Sequence, residues 1–246
     1  MSRKKIIQKI LYFCLLPSAF CLVLNGCAYF NAYYLAQKNF KDGEYARKRN
    51  DGVADETAKM KYKAAIKWSK EVMEKYDGSR YTDDSMYIIG LSYYYQNEFV
   101  LARTQLDELL STYPDSKYIE EAKYYKARSY IGMEQDDNAR MVLNELIKSD
   151  NRSIMGRAGL ALAEISSNNE KWDELLVGAQ TVIDTEPEKI ELITATVYKG
   201  EALYQLERYE ECLAVLEKLS DFNIDPYLRF RTNYLRVCFV CAKNKT

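Results

Sequence analysis

The sequence has no histidine, and only four prolines and ten glycines in 246 residues. It has no apolar run long enough to cross a bilayer as a helix. The missing histidine removes histidine-based triads, His-containing zinc sites and the commonest general base. The scarcity of helix breakers points to a chain built of helices. No GxSxG, P-loop or GxGxxG is present, so the backbone signatures of serine hydrolases, nucleotide phosphate loops and dinucleotide sites are absent. The longest uncharged stretch, Ile10 to Leu24, is apolar apart from Ser18 and only 15 residues long, against the roughly 20 that a spanning helix requires. What remains is 48% hydrophobic and 29% charged, the balance of a folded domain.

That 15-residue stretch follows Arg3, Lys4, Lys5 and Lys9, with no acid among them. A basic lead and an apolar run of this length form a secretory signal. The run stops at Leu24-Asn25-Gly26-Cys27, which resembles the lipobox cut by lipoprotein signal peptidase. The resemblance implies residues 1–26 as a signal peptide and Cys27 as the acylated first residue of the mature chain. The mature chain then carries 31 basic and 36 acidic residues. A net charge of that sign argues against nucleic acid as a partner, and it leaves membrane attachment to the acyl chains.

The body of the chain repeats itself. Tyr76-Asp-Gly-Ser-Arg-Tyr81 recurs as Tyr113-Pro-Asp-Ser-Lys-Tyr118, 37 residues on. The same offset places Tyr87 on Tyr124, Ser92 on Ser129, Tyr93 on Tyr130 and Leu106 on Leu143. Within a unit, Gly90, Ala102, Leu106, Leu109 and Pro114 set a frame that returns from Ala127, Ala163 and Gly200. A small residue on one helix lets a second, aliphatic helix approach closely, and Pro or Asp-Gly stops the second helix. This frame resembles the tetratricopeptide repeat. It implies an all-α, right-handed α-solenoid of about five tetratricopeptide repeats plus a C-terminal helix, in which each hairpin buries its apolar face on the next.

The pattern predicts helices at about 29–41, 57–76, 82–95, 98–112, 118–132, 135–149, 153–167, 171–184, 189–205, 208–220 and 226–243. Four segments follow: the signal (1–26), an N-terminal repeat (27–81), the clear repeats (82–226) and a terminal helix (227–246). Residues 46–57, with Arg47-Lys-Arg-Asn-Asp-Gly52 at their heart, are polar and turn-like and read as a loop inserted in the first hairpin.

Chemistry is sparse. Among 22 tyrosines, Tyr87, Tyr94 and Tyr95 share one region of a helix with Leu91, and Tyr124 and Arg128 extend it one repeat on. In this repeat family that face lines the concave groove, so these six residues are the candidate peptide-binding surface. Packing between adjacent repeats is the alternative. Cys238 and Cys241 form a CxxC inside a predicted helix, without a second pair or a histidine to complete a metal site. They read as small buried residues, with a disulfide to Cys212 left open. Paired acids such as Asp83-Asp84 fall at helix starts, where they complement the dipole. No cofactor or metal and no enzymatic activity are implied. The last helix is apolar nearly all round, and Leu235, Phe239 and Val240 are its candidate docking residues for another protein.

Lipobox, length and the phrase YPDSKYIEEAKYYKARSY together resemble the BamD family, lipoproteins of the outer-membrane β-barrel assembly machinery. The resemblance implies a non-catalytic periplasmic scaffold anchored in the outer membrane. Its partners would be a BamA-like barrel protein and unfolded outer-membrane proteins. A role in another envelope complex, for cell-wall coordination or secretion, and a glycan-binding role for the tyrosines are the other readings.

Overall fold

The computed structural model describes residues 31–76, 78–220, 222 and 226–243, with side chains as far as Val237. The signal segment, Cys27 and the side chains of Cys238, Phe239, Val240 and Cys241 lie outside the described residues. The described chain is helical throughout, without a strand. Helix α1 covers 31–49. It is followed by α2 (Glu56–Lys75), α3 (Thr82–Tyr94), α4 (Phe99–Thr112), α5 (Ile119–Gly132), α6 (Asp136–Leu146), α7 (Arg152–Asn168), α8 (Trp172–Asp184), α9 (Lys189–Gln205), α10 (Tyr209–Glu217) and α11 (Pro226–Lys243). The chain forms two compact units, one ending at Tyr118 and the other beginning at Ile119.

In the first unit α2 packs on α3 and α3 on α4. Gly90 sits where the repeat frame requires a small residue. A β-carbon there would lie 2.7 Å from Leu106 Cδ2, a side chain with no exposed surface. In the second unit α5 packs on α6, α7 on α8, α8 on α9 and α9 on α10. Gly200 repeats the device against Leu216 at 2.6 Å. The cores follow the frame: Ala102, Leu106 and Leu109 are fully buried in α4, and Ala139, Leu143 and Leu146 take the equivalent places in α6.

The turn inside each hairpin is built the same way four times. Asn97, Glu134, Glu170 and Glu207 adopt left-handed φ values of 63°, 58°, 56° and 60°. The next amide in each case donates back to the carbonyl five residues earlier, as from Glu98 to Tyr93 and from Arg208 to Leu203. This is the Schellman closure of a helix C-terminus, normally supplied by glycine.

The N-terminal hairpin departs from expectation. Helix α1 runs through Arg47 to residue 49, and the connection is only 50–55. The Arg47 guanidinium binds Glu44 through two nitrogens, at 3.0 and 2.9 Å, and lies 4.2 Å above the Tyr95 ring. Its carbonyl accepts the amides of Asn50 and Gly52. The polar run is therefore a helix end with Arg47 tied inward and Lys48 and Arg49 exposed, and Asp55 caps the next helix by accepting from the Ala58 amide at 2.8 Å.

Candidate functional site

In the first unit the tyrosines of α3 meet partners on both sides. Tyr87 stacks on Tyr118 with ring centroids 4.2 Å apart, and Tyr33 stacks on Tyr81 at the same distance. Both stacks gather around Asp84, a carboxylate only 4% exposed. Asp84 accepts a hydrogen bond from the Tyr118 hydroxyl and pairs with Lys117 at 2.9 Å, and its charge acts on the nearby Tyr33 hydroxyl, which accepts from the Gln37 amide at 2.6 Å. Burial first, and then the neighbouring carboxylate, push both tyrosine hydroxyls well above the usual phenol range, so they stay protonated donors. Beside Asp84, Asp83 accepts from the Ser116 hydroxyl at 2.7 Å. The YPDSKY phrase is thus a strap that fastens the end of the α3–α4 hairpin back to the start of its own first helix.

Tyr95 belongs to a second aromatic group. Its ring lies 5.8 Å from Tyr62 and 6.4 Å from Phe40, under the Arg47 guanidinium. The Tyr62 hydroxyl donates to Glu44. Burial, then that hydrogen bond, raise its pKa far above the ordinary value. Tyr94 meets Tyr95 edge-on at 5.3 Å and Phe99 at 5.8 Å. Tyr87, Tyr94 and Tyr95 each keep part of their surface exposed, whereas Leu91 is 4% exposed. Leu91 faces inward because the small-residue helix must bury every position that the neighbouring helices cover. It lies beneath the aromatic face and takes no part in it.

The second unit joins its small-residue helices with charge. Arg157 of α7 pairs with Glu121 of α5 at 2.7 Å and lies 4.1 Å above the Tyr124 ring. Tyr124 in turn meets Tyr125 edge-on. Arg128 of α5 pairs with Glu164 of α7, and Arg231 of α11 with Glu201 of α9. Arg231 also covers Tyr198 at 5.1 Å. The candidate groove residues Tyr124 and Arg128 are both half-buried within this ladder. The ladder has a sequence signal that composition hides: Glu121 and Arg157, like Arg128 and Glu164, are opposite charges 36 residues apart, one repeat length. The second unit also holds an apolar cleft of about 620 Å³ between α6, α7 and α8. It is floored by Gly159, Ala163 and Gly178 and bordered by Arg140, which pairs with Glu174 at 3.3 Å.

The terminal helix corrects one expectation. Leu235 is 6% exposed and packs with Ile193, Val197, Leu203 and Leu216, so it belongs to the core of the second unit and not to a docking face. Its helix is docked on α9 and α10, and Leu235 is on the side that faces them. The outward residues are Tyr227, Phe230, Tyr234 and Val237, between 59% and 67% exposed. Cys212 is a buried free thiol whose pKa burial pushes up to about 11. Among the described residues no group of histidine, cysteine, aspartate or glutamate is arranged to hold a metal ion, and no helix is long and apolar enough to cross a membrane.

Paired helices with a glycine or alanine contact, a left-handed closing turn and a 36- to 37-residue period define a tetratricopeptide-repeat protein. Two solved structures share the fold: MamA AMB-1, with a TM-score of 0.53 and 15% identity over 82% of this chain and 97% of that one, and a double mutant of MamA RS-1, at the same score and identity over 76% and 98%. Residues 33–155 match the family model YfiO, described as outer membrane lipoprotein, and the chain belongs to that family. No curated protein matches the sequence.

Proposed function

We propose that the protein is a non-catalytic scaffold of the outer membrane, anchored through an acylated Cys27 and facing the periplasm, that takes part in assembling β-barrel proteins. The observation that carries this reading is the family match, which spans α1 to the start of α7 and therefore includes the tyrosine seam of the first unit. On this reading the partly exposed rings of Tyr87, Tyr94 and Tyr95 in the first unit, and of Tyr124 in the second, hold segments of unfolded barrel proteins. Tyrosine offers large contact area at small entropic cost, and an extended peptide adds backbone hydrogen bonds. The outward side of α11, formed by Tyr227, Phe230, Tyr234 and Val237, docks the periplasmic part of a BamA-like barrel protein. The test is depletion of the protein in its own cell, followed by quantification of folded barrel proteins in the outer membrane. Their level falls if the reading holds. Unchanged barrel assembly would end it, and partners recovered from a cell-wall or secretion complex would replace it.

A further inference from the structure

The mean charge of the chain conceals a sharp asymmetry. Residues 31–76, which form α1 and α2, hold eleven basic and seven acidic side chains, while residues 77–246 hold 20 basic and 29 acidic. Most acids of the first hairpin are engaged locally. Asp42 pairs with Lys61, Glu44 with Arg47, Glu56 with Lys59 and Glu71 with Lys75, and Asp55 caps α2; only Asp51 and Glu74 remain. The cations are distributed differently. Along α1, positions 34, 38, 41, 45 and 48 recur at spacings of four and three, which places them on one face. That face presents Tyr34, Lys38, Lys41, Tyr45 and Lys48, all exposed, with Arg49 beside them over the Tyr45 ring at 5.7 Å. It carries no acid. Helix α2 turns outward Lys63, Lys67 and Lys70, again at helical spacing and exposed.

The outer side of a terminal helix in a repeat array must be polar. Polarity alone would be met by mixed charges, as on the ion-paired helices of the second unit. A stripe of one sign, interrupted by tyrosines half to two-thirds exposed (Tyr34 51%, Tyr45 65%), is a more particular surface. Lysine stems lie along an apolar boundary while their ammonium groups reach phosphate. Tyrosine has its favoured place at the headgroup level, with its ring in the apolar boundary and its hydroxyl in water. We infer that the outward face of α1, assisted by the lysines of α2, lies against an anionic phospholipid surface. The bilayer then holds the protein at two points, an acyl anchor and a basic aromatic helix. A single lipid chain gives only reversible binding, and a polybasic patch is the kind of second signal that makes it stable. The inference uses the Cys27 anchor of the proposed function for its geometry, but not the role in barrel assembly.

The test uses the mature chain purified from its own envelope and reconstituted into vesicles of phosphatidylethanolamine, with or without 30 mol% phosphatidylglycerol. An environment-sensitive fluorescent amino acid replaces Tyr45 or, as a control, Met141, which is 74% exposed on α6. Lipid-borne quenchers at headgroup depth should quench the probe at 45 only on the anionic vesicles, and leave the probe at 141 unquenched. The variant K38E/K41E/K48E/R49E should shift the docked equilibrium by on the order of 100-fold or more, since each basic residue near an anionic surface contributes several-fold. Circular dichroism and flotation of that variant should be unchanged, because the side chains are exposed and the anchor is intact. Tyr34→Ser with Tyr45→Ser, probed at position 48, should weaken docking without changing its dependence on anionic lipid. A probe at 45 no more quenched than one at 141, or quenching indifferent to phosphatidylglycerol, would overturn the inference. So would shielding that appears only in the native envelope, which would assign the stripe to an acidic protein. Flotation lost in high salt, with no acyl mass on the N-terminal peptide, would instead strike the anchor.

Discussion

The two units share a helical frame and fasten it differently. In the first, helices are joined by stacked tyrosines around the buried carboxylate of Asp84, which binds the Tyr118 hydroxyl. In the second, the same relation between helices is held by Arg157–Glu121, Arg128–Glu164 and Arg231–Glu201. The contact inside a hairpin is made by a small residue, as where Gly90 meets Leu106, Gly159 meets Val182 and Gly200 meets Leu216, because the backbone separation leaves little choice. The contact between hairpins has more room and tolerates any pair that fills the seam. The repeat therefore dictates who packs on whom, and leaves the chemistry of the seam open.

The largest test of this contrast is Asp84→Ala. It strands the Tyr118 hydroxyl and Lys117 together, and should cost about 3 kcal/mol, read from the urea midpoint of unfolding. Glu121→Ala, at the equivalent place in the second unit, should cost about 1 kcal/mol or less, since its pair is partly solvated. Equal losses would show that the seams differ only in appearance. Next in size is a pair of identical substitutions with opposite signs. Gly90→Ala drives a methyl into Leu106 and should destabilise by about 1–3 kcal/mol. Gly178→Ala, where an added β-carbon has nothing within 4 Å, should stabilise by about 1 kcal/mol through helix propensity. Differential scanning calorimetry of the two variants checks both.

Smaller still is the coupling within the ladder. A double-mutant cycle on Arg157 and Glu121 should give about 0.5–1 kcal/mol at low salt and less at 1 M, where exposed charges are screened. The last test concerns pH. The Cys212 thiol is raised from its ordinary value, near 8.5, to about 11 by burial. The unfolded chain ionises first, so the stabilising contribution of the neutral thiol is complete below about 8.5 and is lost as the pH climbs towards 11. Cys212→Ala should flatten that alkaline limb of the stability curve, whereas at neutral pH the thiol should resist alkylation until the protein unfolds.

Much of the helical frame was legible because the repeat enforces it. Helices α3, α4, α5, α7, α8 and α9 begin and end within a residue of the positions that the Gly90–Leu106 frame implies. In the first hairpin α2 lies within a residue of its expected place, but the end of α1 was not legible, because Arg47-Lys-Arg-Asn reads as solvated polarity although Arg47 points inward to Glu44 and Tyr95. Hydropathy cannot distinguish a buried guanidinium from an exposed one. Leu235 failed for a related reason: an apolar helix at the end of a solenoid has an inner side as well as an outer one, and composition does not say which residues lie on which. The tyrosines were visible as a stripe, but their contacts with Tyr118, Tyr62 and Phe40 depend on residues 31 to 55 positions away. The arginine ladder is hidden from composition because Glu121 and Arg157, like Arg128 and Glu164, stand one repeat apart.

The closing turns carry a further consequence. Glutamate is an unusual occupant of the left-handed backbone region, which favours glycine and admits asparagine. Yet Glu134, Glu170 and Glu207 all hold it, and only Asn97 conforms. The three sites are well separated along the chain, so replacing them with glycine should relieve strain in independent steps that add. A lineage with such substitutions available has latitude: it can accept a costly change on a binding face and restore its folding margin at a turn that touches no partner.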